Sequence, residues 1–220
     1  MPIVTIGSQQ WDTHNLDVDC FADGTPIEHA TTDAEWESLC AAGTPAWRYY
    51  NDDSSNGDLH GKLYNWYVVS ASLTSKQIVP NAQFKVPTTT QWNALVTYLG
   101  GEKVAGYKLK NTENWSSLDK DIDGNGDNSS YFYGNPSGYM RQTGEFFDME
   151  WSSNWWSATS ASATTAPGYR AYWSNSSLIS VTTPMTMGLS IRLIASGSWT
   201  GSIKYNPSED YDNPTAPPGL

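Results

Sequence analysis

The sequence predicts an α+β domain of two short helices followed by an irregular, loop-rich antiparallel sheet. Three observations lead there. Two stretches in the first half, "DAEWESLCAAG" and "KVPTTTQWNALVTYLGG", carry helix start and stop signals. From about residue 103 onward the pattern changes to short strands separated by polar loops. The composition agrees: 11 Trp and 13 Tyr in 220 residues, only 16% charged, with abundant Gly, Ser, Thr and Asn. Such a chain is held by large rigid side chains more than by long regular elements, and its length fits one large domain.

Taken in order, "IVTIG" reads as a first strand. In "DAEWESLCAAG" Asp33 is placed to cap a helix, Trp36 and Leu39 face inward, and Gly43 ends it. The polar turn "NDDSSNGD" leads into "GKLYNWYVVSAS", where Leu63, Trp66, Tyr67 and Val69 fit the buried face of a helix. A fully buried strand fits that run equally, and either way it is core. In "KVPTTTQWNALVTYLGG" Thr88 to Thr90 offer capping oxygens, Trp92, Leu95, Val96 and Leu99 form one helical face, and Gly100-Gly101 stop it. "NWWSATSAS", "GYRAYWSNSSLISVTT" and "MGLSIRLIAS" read as strands, with "SNSS" as a hairpin turn. In the middle one Tyr169, Ala171 and Trp173 alternate with Arg170, Tyr172 and Ser174. Residues 1–196 form one domain in this reading. Residues 197–220 form a tail, whose end "NPSEDYDNPTAPPGL" holds four prolines and little to bury.

Charge excludes several functions. A net charge of −11 with 12 scattered Lys and Arg does not suit a phosphate backbone, so no nucleic-acid partner is expected. An anionic membrane surface is disfavoured for the same reason. No apolar run approaches the roughly 18 residues of a membrane span, so no membrane insertion is expected. "MPIVTIGSQQW" shows neither the basic nor the apolar region of a signal peptide. Cys20 and Cys40 cannot form a disulfide framework and read as two unrelated thiols, the alternative being a single pair.

One acidic loop has metal-binding character. Asp119, Asp121, Asp123 and Asp127, with Gly124 after the third, resemble the start of a D-x-D-x-D-G calcium loop, where glycine permits the sharp turn. Ser130 stands where the bidentate acid belongs, so the alternative is an ordinary solvated turn. Calcium is the cofactor to test, and none is required. Elsewhere His14, His29 and His60 make no ligand pattern, and no G-x-S-x-G nucleophile motif occurs.

The order of motifs carries more information than any one of them. "TIGSQQWDTHNL", "DGTPI", "AEWESL", "PAWRYYNDD", "GKLYNWYVV", "KVPTTTQWNALVTYLGG", "VAGYKLKNTENW", "NPSGYMRQTGEF", "NWWSATS" and "GLSIRLI" follow one another over roughly residues 4 to 195. Together they resemble the Fibrobacter succinogenes major paralogous domain family, a branch of the C-type lectin-like fold related to the formylglycine-generating enzyme. The resemblance implies further core positions at Trp115, Trp155 and Trp156 beside Trp92, and a framework role for Arg192. It implies no catalysis here. Formylglycine-type oxidation would need a copper-binding cysteine pair near the C-terminal end, whereas Leu193 stands at the related position.

The family occurs in bacterial surface proteins and in phage-type proteins whose C-terminal segment is rewritten by diversity-generating retroelements. The resemblance therefore implies a non-enzymatic receptor- or ligand-binding protein, a phage tail-tip or bacterial surface adhesin. Its partner would be a bacterial cell-surface protein or glycan, and trimeric display would strengthen weak contacts. The variable face would lie at about 150–195. Its candidate contact residues are Asn154, Tyr169, Tyr172, Trp173, Asn175, Ser177, Thr183, Met185 and Met187: aromatics to anchor, polar side chains for adaptable hydrogen bonds. Any such strand also buries about half its residues. The alternative function is a structural tail or surface module that meets no receptor.

Overall fold

The computed structural model describes residues 2–74, 76–117 and 123–196. Strands β1 (Ile3–Ile6) and β2 (Gln9–Asn15) form a hairpin turned at Gly7, whose φ of +63° suits glycine. After β3 (Glu28–His29) comes α1 (Asp33–Ala41). Its cap is Thr32 rather than Asp33: the Thr32 hydroxyl accepts the Glu35 N–H, while Asp33 is already helical. The Asp33 carboxylate instead pairs with Arg48 at 2.7 Å. Arg48 ends β4 (Ala46–Arg48).

α2 (Gly57–His60), β5 (Leu63–Tyr64) and α3 (Trp66–Thr74) follow. The aromatic run that fitted helix and strand equally is thus both, divided at Asn65. The Asn65 side chain holds the break, accepting the Ala46 N–H at 3.1 Å and donating to the Thr44 carbonyl at 2.8 Å.

β6 (Phe84–Lys85) precedes α4 (Thr89–Tyr98), which opens on a capping box between Thr88 and Gln91. α5 (Glu102–Leu109) starts immediately after Gly100-Gly101. The described residues therefore hold five helices where two were expected. α5 escapes a sequence reading because "EKVAGYKL" has a narrow apolar stripe and an internal glycine. Its buried side, Ala105, Gly106 and Leu109, is recognisable only against the hairpin it meets.

β7 (Ser137–Met140), β8 (Phe146–Met149), β9 (Ser152–Trp156), β10 (Thr165–Tyr172), β11 (Leu178–Pro184) and β12 (Arg192–Ala195) complete the chain. They assemble into three sheets, ordered β1-β2-β12-β6, β11-β10-β9-β7-β8 and β3-β4-β5. Pairing is antiparallel except for β3–β4 and β7–β9, which are parallel. β12 lies beside β2, with Ile194 opposite Trp11, so the two ends of the domain share one sheet.

β9 separates two cores. Trp155 points into an aromatic cluster with Trp11, Trp92, Phe132 and Tyr169, while Trp156 points into a second cluster with Tyr64, Val68, Leu189 and Leu193. Being covered on both faces, this strand shows no polar alternation. A third cluster packs α1 on β4 through Trp36, Ala46, Leu63 and Met140. Trp92, Trp115, Trp155 and Trp156 are all buried, as the resemblance implied. Arg192 is buried as well: its guanidinium donates to Asn15 Oδ1 and to the Asp12, Phe132 and Tyr133 carbonyls. None of the described helices is long and apolar enough to cross a membrane.

Candidate functional site

The β10–β11 hairpin decides which C-terminal residues can meet a partner. Tyr169 and Ala171 share one face of β10, and that face is core. Tyr169 is 1% exposed and stacks on Trp92 at 4.9 Å, and its hydroxyl donates to Asn93 Oδ1 at 2.8 Å. Arg170 and Tyr172 occupy the opposite face and are half-buried.

Four of the nine candidate contact residues are buried, and a fifth, Met187, is half-buried away from the turn. Besides Tyr169, Asn154 is buried and donates to the Gly138 carbonyl and the Ser152 hydroxyl. Thr183 is buried with its hydroxyl on the Val181 carbonyl, and Met185 belongs to the core around Trp156. Met187 is half-buried against the same core. Thr183, Met185 and Met187 also lie at the wrong end of the hairpin. Thr165 pairs with Pro184 and Ala171 with Leu178, which puts them about 20 Å from the turn at ~3.4 Å per residue.

Tyr172, Trp173, Asn175 and Ser177 do come together around the turn. Asn175 is exposed, and its side-chain oxygen accepts the Ser177 N–H at 2.9 Å, which shapes the turn. The Trp173 ring is half-buried, 6.4 Å from Tyr172 and 5.7 Å from Trp151. Trp151, not singled out from sequence, joins through the backbone as well: its carbonyl accepts the Trp173 N–H at 2.8 Å. Its place at the head of "WSSNWW", one alternation before Ser153 and Trp155, was the available signal. Glu150 and Asp148 beside it are held at φ of +67° and +59°, conformations uncommon outside glycine. The resulting edge has three half-buried aromatic rings, exposed Ser174, Asn175 and Ser176, and an exposed acid at Glu150.

The acidic loop borders this edge. Asp119 and Asp121 lie outside the described residues. The Asp123 and Asp127 carboxylates each accept an N–H of their own turn, from Asn125 and Ser129. Gly124 has a packing reason to be glycine, since a Cβ there would sit 2.1 Å from the Ser116 carbonyl oxygen. Its φ is not in the left-handed region, so the calcium-loop turn is not what requires it. Among the described residues no three His, Cys, Asp or Glu side chains converge as metal ligands.

The two cysteines are free and differently placed. Cys20 is exposed, whereas Cys40 is buried under the Thr186 carbonyl at 3.5 Å, and burial pushes its thiol up to about 11. His60 is buried with its ring pulled down to about 4.

Fold and site together define a mixed α+β domain whose aromatic interior reaches the surface at one hairpin edge. The chain belongs to the Fibrobacter succinogenes major domain family, which matches residues 4–195. No curated protein and no solved structure matches it.

Proposed function

We propose that this is a non-enzymatic recognition domain of the C-type lectin-like class, carried at a phage tail tip or on a bacterial surface. Its contact surface is the hairpin edge formed by Tyr172, Trp173, Asn175 and Ser177 with Trp151. The observation that carries this reading is the chain of three half-buried rings at one edge, beside an exposed Ser174–Asn175–Ser176 turn. Rigid aromatic area with small polar neighbours binds at low conformational-entropy cost, and the same rings can stack on a sugar or fill a protein pocket. The partner is a bacterial cell-surface protein or glycan, and the chemistry needs no cofactor. Retroelement rewriting of the segment 150–195 would be tolerated at turn positions such as Ser174, Asn175 and Ser176. At Tyr169 or Trp155 it would disrupt the core.

Binding of the fluorescently labelled chain to intact bacterial cells tests this, with Trp151→Ala/Tyr172→Ala beside wild type. Saturable binding that the double variant loses while still melting cooperatively within a few degrees of wild type supports the reading. Equal binding by both proteins removes the surface, and no binding by wild type to any cell tried favours a structural module.

A further inference from the structure

Lys110 caps the C-terminal end of α5 and is buried, yet no carboxylate of the described residues is in hydrogen-bond contact with it. Its ammonium instead donates to backbone carbonyls: Gly124 at 2.6 Å, Asn175 at 3.2 Å, Trp173 at 3.3 Å and Tyr172 at 3.4 Å. The Trp115 ring lies 5.1 Å away. Three of the four carbonyls belong to the hairpin turn, and the fourth belongs to the acidic loop. Four convergent carbonyls form the kind of oxygen cage that ordinarily surrounds a bound cation. Here the cation is covalently supplied by the chain.

We infer that Lys110 is the positioning residue of the recognition edge, an internal cation that holds the Tyr172–Asn175 backbone and so sets where the Tyr172 and Trp173 rings stand. The surroundings leave the turn few other anchors. The Trp173 N–H reaches the Trp151 carbonyl and the Tyr107 N–H reaches the Ser176 carbonyl, but the Asn175 side chain is spent within the turn. Neutralising Lys110 would leave four convergent carbonyls sharing one amine with fewer and weaker donors. Burial draws the ammonium down to about 8, and Asp123 on the acidic loop opposes this. Asp123 is the one charged group acting on it among the described residues; the hairpin and the segment around Trp115 present carbonyls and a ring. The ammonium is thus neutralised at mildly alkaline pH instead of near the usual lysine value.

The inference rests on the proposed recognition surface for its functional meaning, and its test does not. Amide hydrogen exchange is measured on the full chain, corrected for intrinsic rates, from about pH 6 to about pH 10. The reporters are the turn amides of Trp173 and Asn175; the core reference is Trp156, which donates to Ser190. In wild type, turn protection should fall through about pH 8 while Trp156 keeps its own. Lys110→Met should lower turn protection roughly tenfold to a hundredfold at every pH, and Lys110→Arg should carry protection to higher pH because a guanidinium stays charged. Turn and core losing protection in one step overturns the assignment, as does a flat wild-type profile together with an unaffected turn in Lys110→Met. Cell binding is followed in parallel at neutral pH. If Lys110→Met loosens the turn and binds cells undiminished, the recognition reading fails while the positioning role stands. If its turn stays protected, the positioning role fails and the recognition reading is untouched.

Discussion

Tyr169 and Tyr172 lie three residues apart on one strand, and replacing each by alanine should give opposite phenotypes. Tyr169 fills the aromatic core, stacked 16° from parallel on Trp92 and bonded through its hydroxyl to α4. Removing a buried aromatic ring costs about 3–5 kcal/mol, transfer and cavity terms together. For a domain of this size each kcal/mol is worth about 2–4 °C, so Tyr169→Ala should melt about 6–20 °C lower. Tyr169→Phe keeps the ring and loses only the hydroxyl. Its partner Asn93 is exposed and can turn to water, so a loss of about 1 kcal/mol, or about 2–4 °C, is expected. Tyr172 is half-buried at the edge, and Tyr172→Ala should cost about 1 kcal/mol or less. As a contact anchor its removal should nonetheless weaken cell binding about tenfold or more. Thermal unfolding by circular dichroism and flow cytometry on labelled cells measure the two quantities on the same preparations. If Tyr172→Ala melts as low as Tyr169→Ala, or Tyr169→Ala keeps its melting temperature, the assignment of strand faces is refuted.

Gly106→Ala should destabilise although alanine favours a helix by about 1 kcal/mol. Its Cβ would lie 2.2 Å from the Ser177 carbonyl oxygen, forcing α5 off the hairpin, and a raised melting temperature would contradict that close approach. His60, lowered by burial to about 4, takes up its proton earlier in the unfolded chain than in the folded one. Stability should therefore be full above about pH 6.5 and fall towards pH 4 by up to about 1.4 kcal/mol per unit from this residue. His14, likewise lowered by burial to about 4, adds to this, while Asp12, raised by burial to about 6 against the pull of Arg192, works in the opposite sense over the same range. His60→Gln should thus flatten the acid limb of a urea-unfolding pH series, and an unchanged limb would remove His60 as its cause. Excess calcium should leave the melting temperature where chelator puts it, because the carbonyls beside the acidic loop already hold the Lys110 ammonium. A clear rise would instead assign an ion to the Asp119–Asp127 loop.

Much of this domain is readable from its sequence because the information is local. Thr88 and Gln91 lie three apart before an apolar period of 3.6, and α4 follows. The long succession of aromatic motifs identifies the family over 4–195 without any structure. The same succession places Trp92, Trp115, Trp155 and Trp156 in the core, where all four are buried. Even the hairpin was legible, from "SNSS" between two runs of strand-forming residues.

Which strand face is buried is not local information. Alternation divides β10 into Tyr169 and Ala171 against Arg170 and Tyr172, and each set contains a tyrosine. Trp92, arriving on a helix nearly eighty residues earlier, makes Tyr169 core and leaves Tyr172 at the edge. The same holds for Asn154, a surface residue by type, which is buried because β9 is covered on both sides. It holds most of all for Lys110, whose partners at 124, 172, 173 and 175 are backbone oxygens. A carbonyl is the same at every residue, so side-chain identities cannot announce such a cage. Only the folded path of the chain brings those oxygens to one ammonium.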